Sequence, residues 1–134
     1  TEIDPRPAMA EASAHGAVGV PVITASATPL EFARWSPGVV MVEGAFKAHI
    51  PADIEWMIPE IVIVPLVAWD ETGGRLGYGG GFYDRTLEGL RARGPVLAIG
   101  FAFNVQQAYD LPLEVTDQPL DMIVTEDRVL TIGD

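Results

Sequence analysis

The sequence predicts an α/β fold, a three-layer open and mostly parallel sheet with helices on both faces, and three observations carry that expectation. Residues 61–69, "IVIVPLVAW", are a continuous apolar run rich in β-branched side chains, the pattern of a strand buried on both faces. Residues 82–94, "FYDRTLEGLRARG", put Tyr83, Leu87 and Leu90 on one helical face and end on Gly94, a helix stop. Residues 96–103, "VLAIGFAF", are a second buried run. Strand, loop, helix and strand in about 40 residues make a βαβ unit with parallel strands and a right-handed crossover.

The flanking elements follow in order. In "DPRPAMAEASAHG", Asp4 is an N-cap, Pro5 the first helical position and Gly16 the stop, which predicts a short helix over 5–15. "VGVPVI" (18–23) and "LEFARW" (30–35) read as strands, and Pro21 marks the first as an edge or an irregularity because it has no N–H to donate. Residues 36–60 carry Pro37, Gly38, Gly44, Pro51 and Pro59 and read as mostly irregular. A short helix over 106–110 and a last strand, "MIVT" (122–125), complete the chain. There is no repeat, low-complexity tract or linker. With 134 residues, 49% of them hydrophobic, residues 1–134 are expected to form a single domain around one core.

Composition narrows the function classes. A formal charge of −11 disfavours a nucleic-acid surface, which needs a basic patch. No apolar run approaches the roughly 20 residues of a membrane span. The absence of cysteine excludes disulfides, thiolate catalysis and cysteine-held zinc, and agrees with a reducing cytoplasm. His15 and His49 read as ordinary surface or packing residues, so a metal here would be a hard cation held by oxygen. A monomer is expected. The chain opens on "TEID" without a methionine, and an upstream segment is expected to be missing.

Against that acidic background, "RLGYGGGFYDR" (75–85) carries net positive charge. Gly77, Gly79, Gly80 and Gly81 let backbone approach a ligand closely, and the helix that follows begins with unpaired N–H groups, a ready phosphate cradle. The named phosphate motifs fail nonetheless. A dinucleotide fingerprint would need glycine where Phe82 stands, and a Walker A loop starting at Gly74 would need lysine where Gly80 stands. Arg75 and Arg85 flank the loop and suit phosphate oxygens in forked geometry. Asp84 would oppose a bare phosphate and makes more sense as a ligand of Mg²⁺ bridging phosphates. Spacing alone leaves a plainer alternative open: glycines for a tight turn, and Asp84 complementing the helix dipole.

The stretch "IVIVPLVAWDETGGRLGYGGGFYDR" resembles the C-terminal signature of the 5-formyltetrahydrofolate cyclo-ligase (methenyltetrahydrofolate synthetase) family. Downstream, "DQPLDMIVTED" resembles the family's closing segment, and upstream "TEID", "VPVI" and "LEFARW" resemble its middle portion. The resemblance implies an enzyme that converts 5-formyltetrahydrofolate and ATP to 5,10-methenyltetrahydrofolate, ADP and phosphate. It implies that Arg75, Leu76, Gly77, Tyr78, Gly79, Gly80, Gly81, Phe82 and Tyr83 form the ATP loop, with Arg75 and Tyr83 catalytic. It makes Asp84 and Asp121 Mg²⁺ ligands, and Tyr83 and Glu2 contacts to the folate. A carboxylate such as Glu2 suits an aminopyrimidine edge because it accepts paired hydrogen bonds. The resemblance also implies an upstream segment that supplies a lysine and an arginine.

Two stretches depart from the family pattern. "KAHIPAD" (47–53) lacks the Gly-Ile-x-Glu-Pro run common in the family, and Thr116 stands where many relatives carry histidine, a change that touches no assigned role. The expected missing upstream segment and the departure at 47–53 support an alternative reading, a nucleotide- or folate-binding module of the same fold without cyclo-ligase activity. A third is a phosphate-handling enzyme of related fold with no ATP requirement, supported by fold analogy alone.

Overall fold

The computed structural model describes residues 3–77, 81–109, 111 and 117–132. The chain divides into two compact units, one of Asp4–Pro59 and one of Glu60–Asp134 with Thr1–Ile3.

The first unit is antiparallel. Helix α1 (Arg6–Ser13) starts one residue later than expected, with Pro5 and not Asp4 at the N-cap; the Asp4 Oδ1 still accepts the Arg6 N–H at 3.0 Å and so satisfies one of the free donors at the helix start. Gly16 donates its N–H back to Ala12 O at 3.1 Å, where the helix stops. Strand β1 (Val18–Val22) pairs with β2 (Glu31–Trp35) with Val18 opposite Trp35. Residues 36–60 are more regular than their prolines and glycines suggest: β3 (Met41–Glu43) and β4 (His49–Pro51) form a hairpin, and β5 (Trp56–Met57) joins β2. The sheet order β1-β2-β5 leaves β1 at an edge, which is where Pro21 is tolerated. Val22, Leu30, Phe32, Ala33 and Pro51 are buried apolar side chains of this unit.

The second unit holds the βαβ motif. Strand β6 (Ile61–Val64) is parallel to β9 (Leu97–Phe101), with α2 (Phe82–Arg93) between them in the chain. β9 is parallel to β10 (Met122–Val124), and β11 (Val129–Thr131), which the sequence reading lacked, closes the order β11-β10-β9-β6 antiparallel to β10. The expected short helix over 106–110 is one 3₁₀ turn at Asn104–Gln106.

Two expectations change here. The apolar run 61–69 is not one strand: β6 ends before Pro65, and β7 (Ala68–Trp69) turns away to pair with β8 (Arg75–Leu76) as an antiparallel hairpin. Nor is β6 buried on both faces, since Val62 and Val64 are buried while Ile61 and Ile63 are 58% and 46% exposed. The described residues hold α-helices only at α1 and α2, so the molecule is a mixed-sheet α/β protein with few helices. No helix among them is long and apolar enough to cross a membrane.

Candidate functional site

The site grows from the β7–β8 hairpin. Its turn is organised by Asp70, whose Oδ1 accepts from Thr72 N–H (2.9 Å), the Thr72 hydroxyl (2.6 Å) and Gly74 N–H (3.0 Å). Burial alone would raise the Asp70 pKa; the hydrogen bonds from the Thr72 hydroxyl and the Gly74 and Thr72 amides outweigh it and hold the carboxyl below its ordinary value. Gly73 in this turn has φ of 91°, and a Cβ there would meet Leu120 O at 2.9 Å, so both conformation and space demand glycine. The turn fixes where β8 begins, and β8 begins with Arg75.

Arg75 is buried, and its Nη2 donates to Asp84 Oδ1. Asp84 lies in the first turn of α2, where the helix dipole favours a carboxylate. Gly81, the residue before the helix, adopts φ of 69°, a left-handed entry that swings the chain from the glycine loop into α2. Asp84 Oδ1 also accepts the Gln118 N–H at 2.8 Å. Arg75 Nε is buried without a hydrogen-bond partner among the described residues, an orphaned donor beside the loop.

The segment around 118–121 stitches these parts together. Gln118 N–H reaches Asp84, Leu120 N–H donates to Gly73 O at 3.0 Å, and Asp121 N–H donates to Ala98 O at 2.8 Å. The Asp121 carboxylate faces the other end of α2: its Oδ2 accepts from Arg91 Nη2 at 3.1 Å and from Ala98 N–H at 2.7 Å.

The structure thus brings Arg75 and Asp84 into direct contact, and among the described residues Asp121 is tied to them through the backbone and α2. Leu76 is 40% exposed, Gly77, Phe82 and Tyr83 are half-buried, and the Arg85 guanidinium lies 5.2 Å from the Phe82 ring centroid. Glu2, Tyr78, Gly79 and Gly80 lie outside the described residues, as does Thr116. Asp70, Arg91 and Gln118 were not anticipated. Arg91 had one available signal, seven residues after Asp84 and therefore on the same helical face.

The residues fit Mg²⁺ carried in with a polyphosphate better than a cation caged by protein alone. No group of three or more His, Asp or Glu side chains gathers among the described residues, whereas Mg²⁺ typically takes one or two carboxylates and completes its shell with phosphate and water. Among the described residues, the hydrogen bonds of the Asp84 carboxylate fall on Oδ1 and those of the Asp121 carboxylate on Oδ2, one oxygen of each.

Comparison with known proteins agrees with this arrangement. The model of the 5-formyltetrahydrofolate cyclo-ligase family matches residues 12–126, a range that contains Arg75, Asp84 and Asp121. The 5-formyltetrahydrofolate cyclo-ligase of Escherichia coli (strain K12) is 39% identical over 109 residues, 78% of this chain and 59% of the relative. That of Mycolicibacterium smegmatis is 30% identical over 120 residues, 85% of this chain and 57% of the relative. The matched stretch therefore spans less than two thirds of either relative's length. Among solved structures, the NMR structure of Aquifex aeolicus 5,10-methenyltetrahydrofolate synthetase superposes with a TM-score of 0.75 at 32% identity, covering 99% of this chain and 67% of that one. The glycine loop, the arginine–aspartate pair at its base and these matches lead to one assignment: the chain belongs to the 5-formyltetrahydrofolate cyclo-ligase family.

Proposed function

We propose that the chain carries the nucleotide-binding centre of an ATP- and Mg²⁺-dependent 5-formyltetrahydrofolate cyclo-ligase. The observation that carries the reading is the Arg75–Asp84 pair where the glycine loop enters α2, inside the stretch matched by the family.

A formyl oxygen is a poor leaving group, so the neighbouring folate nitrogen cannot expel it directly. In the proposed reaction the formyl oxygen attacks the γ-phosphorus of ATP and the bond to the β,γ-bridging oxygen breaks, releasing ADP. The folate N10 then attacks the activated carbon, phosphate departs with the former formyl oxygen, and the N10 proton goes to water. No side-chain nucleophile is needed. The protein's part is to hold oxygen and phosphorus in line and to oppose the charge that develops on the phosphoryl oxygens.

Loop N–H groups at the start of α2 and the orphaned Arg75 Nε supply donors for phosphate oxygens. Asp84, with Asp121 as a second carboxylate, would hold Mg²⁺, which when bound neutralises the polyphosphate. Tyr83 and Glu2 are assigned to the folate. The proposal includes a cytoplasmic monomer with no nucleic-acid partner, supported by the absence of cysteine and the charge of −11. It includes the three-layer arrangement as well: exposed Ile61 and Ile63 are the side chains a second helical layer would cover, because parallel sheets bury both faces.

The test is the absorbance of methenyltetrahydrofolate formed from 5-formyltetrahydrofolate with and without Mg·ATP. Product that requires Mg·ATP is expected. The second reading, a binding module without turnover, has the departure at 47–53 in its favour, and nucleotide binding without product would replace the first reading by it.

A further inference from the structure

We propose that Arg91 is a positioning residue for Asp84, acting through the segment around 118–121; this rests on the reading of Asp84 as a Mg·ATP ligand. Arg91 follows Asp84 by seven residues, so the two lie on one face of α2, about 10 Å apart along its axis. Its guanidinium grips three acceptors: Gln118 Oε1 from Nη1 at 3.1 Å, Pro119 O from Nη2 at 2.9 Å, and Asp121 Oδ2 from Nη2 at 3.1 Å. The planar fork of arginine can serve acceptors in separate directions at once, which an ammonium cannot. Asp121 Oδ2 is anchored in turn by the Ala98 N–H of β9, so the segment is fastened to the sheet as well as to the helix.

The held segment reaches Asp84 through the Gln118 N–H, which donates to Asp84 Oδ1 at 2.8 Å. That donor and Arg75 Nη2 converge on the same oxygen. Together they occupy Oδ1, and among the described residues no hydrogen bond falls on Oδ2, the oxygen left for a cation. Without Arg91 the Gln118 side chain and the Pro119 carbonyl lose the guanidinium that holds them, while the Leu120 and Asp121 bonds to Gly73 and Ala98 remain, so the Gln118 N–H is held less firmly on Asp84. Groups that orient a metal ligand in this way typically alter metal affinity or activity by about 10-fold to 100-fold when removed.

The experiment compares the full chain with Arg91→Met, which keeps the apolar stem, Arg91→Lys, and Arg93→Met, which removes the same charge from an exposed position on the same helix. Amide hydrogen exchange at Gln118 is read by NMR, with Leu87 as the helix reference. The Mg²⁺ concentration for half-maximal product formation and the KM for 5-formyltetrahydrofolate are read in the absorbance assay. Arg91→Met is expected to speed Gln118 exchange by about tenfold with Leu87 unchanged, and to raise the Mg²⁺ requirement by about 10-fold to 100-fold without moving the folate KM. Arg91→Lys should recover part of both, and Arg93→Met should match the parent. If Arg91→Met lowers thermal stability but leaves Gln118 exchange and the Mg²⁺ requirement at parental values, the role is purely structural and the proposal fails. A parent chain that makes no product would remove the cyclo-ligase reading instead; Gln118 exchange then decides alone, acceleration supporting the linkage and no change overturning it.

Discussion

Helix α2 carries an arginine–aspartate pair at each end, and the two differ in one physical respect. At its N-terminal end Arg75 and Asp84 have side chains 6% and 20% exposed; toward its C-terminal end Arg91 and Asp121 are 24% and 41% exposed. Both pairs follow the helix dipole, with the acid of the first in the opening turn and the arginine of the second in the closing turn. Both also share partners in the segment around 118–121. Solvent is what separates them. A pair held out of water carries a large penalty if either partner is lost, whereas a wet pair contributes about 0–1 kcal/mol. The costly pair lies where the glycine-rich stretch enters α2, and the inexpensive one lies where the 118–121 segment is braced against the helix.

The sharpest way to break this comparison is Asp84→Ala. It leaves Arg75 buried and unpaired, and we expect a loss of about 3–5 kcal/mol in urea unfolding together with loss of Mg·ATP-dependent product formation. The double variant Arg75→Met with Asp84→Leu separates the two effects. Replacing a buried pair by apolar groups of similar volume is commonly neutral or stabilising, so stability should return to within about 1 kcal/mol of the parent while turnover stays absent. Recovery of turnover in the double variant would remove both residues from the proposed chemistry.

The two pairs were not equally legible in the sequence. Asp84 stands out because it follows a glycine run and opens an amphipathic helix, and Gly94 closes that helix where expected. The acceptors of Arg91 are 27 to 30 residues away, and one is a backbone carbonyl, which no side-chain pattern announces. The same contrast runs through the fold. Residues 61–69 read as one buried strand because hydrophobicity has no mark for a change of partner; Pro65 was the mark, and the hairpin that follows leads directly to Arg75. Residues 36–60 read as irregular because proline and glycine are strong breaker signals, yet Pro51 ends β4 without interrupting it.

Asp121 offers an intermediate test. Asp121→Asn keeps an acceptor for the Ala98 N–H but removes the charge facing Arg91, so unfolding should change by no more than about 1 kcal/mol. Asp121→Ala loses that acceptor too and should cost about 1–3 kcal/mol. If Asp121 also serves Mg²⁺, the asparagine variant will raise the Mg²⁺ requirement for product formation despite its near-parental stability. An unchanged requirement would leave Asp121 as a brace for β9 and Arg91.

The smallest expected effect belongs to a third carboxylate that has no arginine in its hydrogen bonds. Asp70 is held by two amides and a hydroxyl, and its pKa is lowered in the fold. A carboxyl with a lower pKa folded than unfolded contributes stability that is fully present above its unfolded value of about 3.9 and is lost as pH falls through the folded value. Asp70→Asn keeps an acceptor oxygen without the charge, so its deficit relative to the parent should be about 1 kcal/mol or less at pH 7. That deficit should shrink as pH falls below about 4, where the parental carboxylate is itself neutralised. Urea midpoints of parent and variant measured from pH 7 down to about pH 3 should therefore converge. Parallel curves would mean that the turn before Arg75 depends on the shape of the Asp70 side chain and not on its charge, and the arginines would then be the only groups in the site whose carboxylate partners are held by charge.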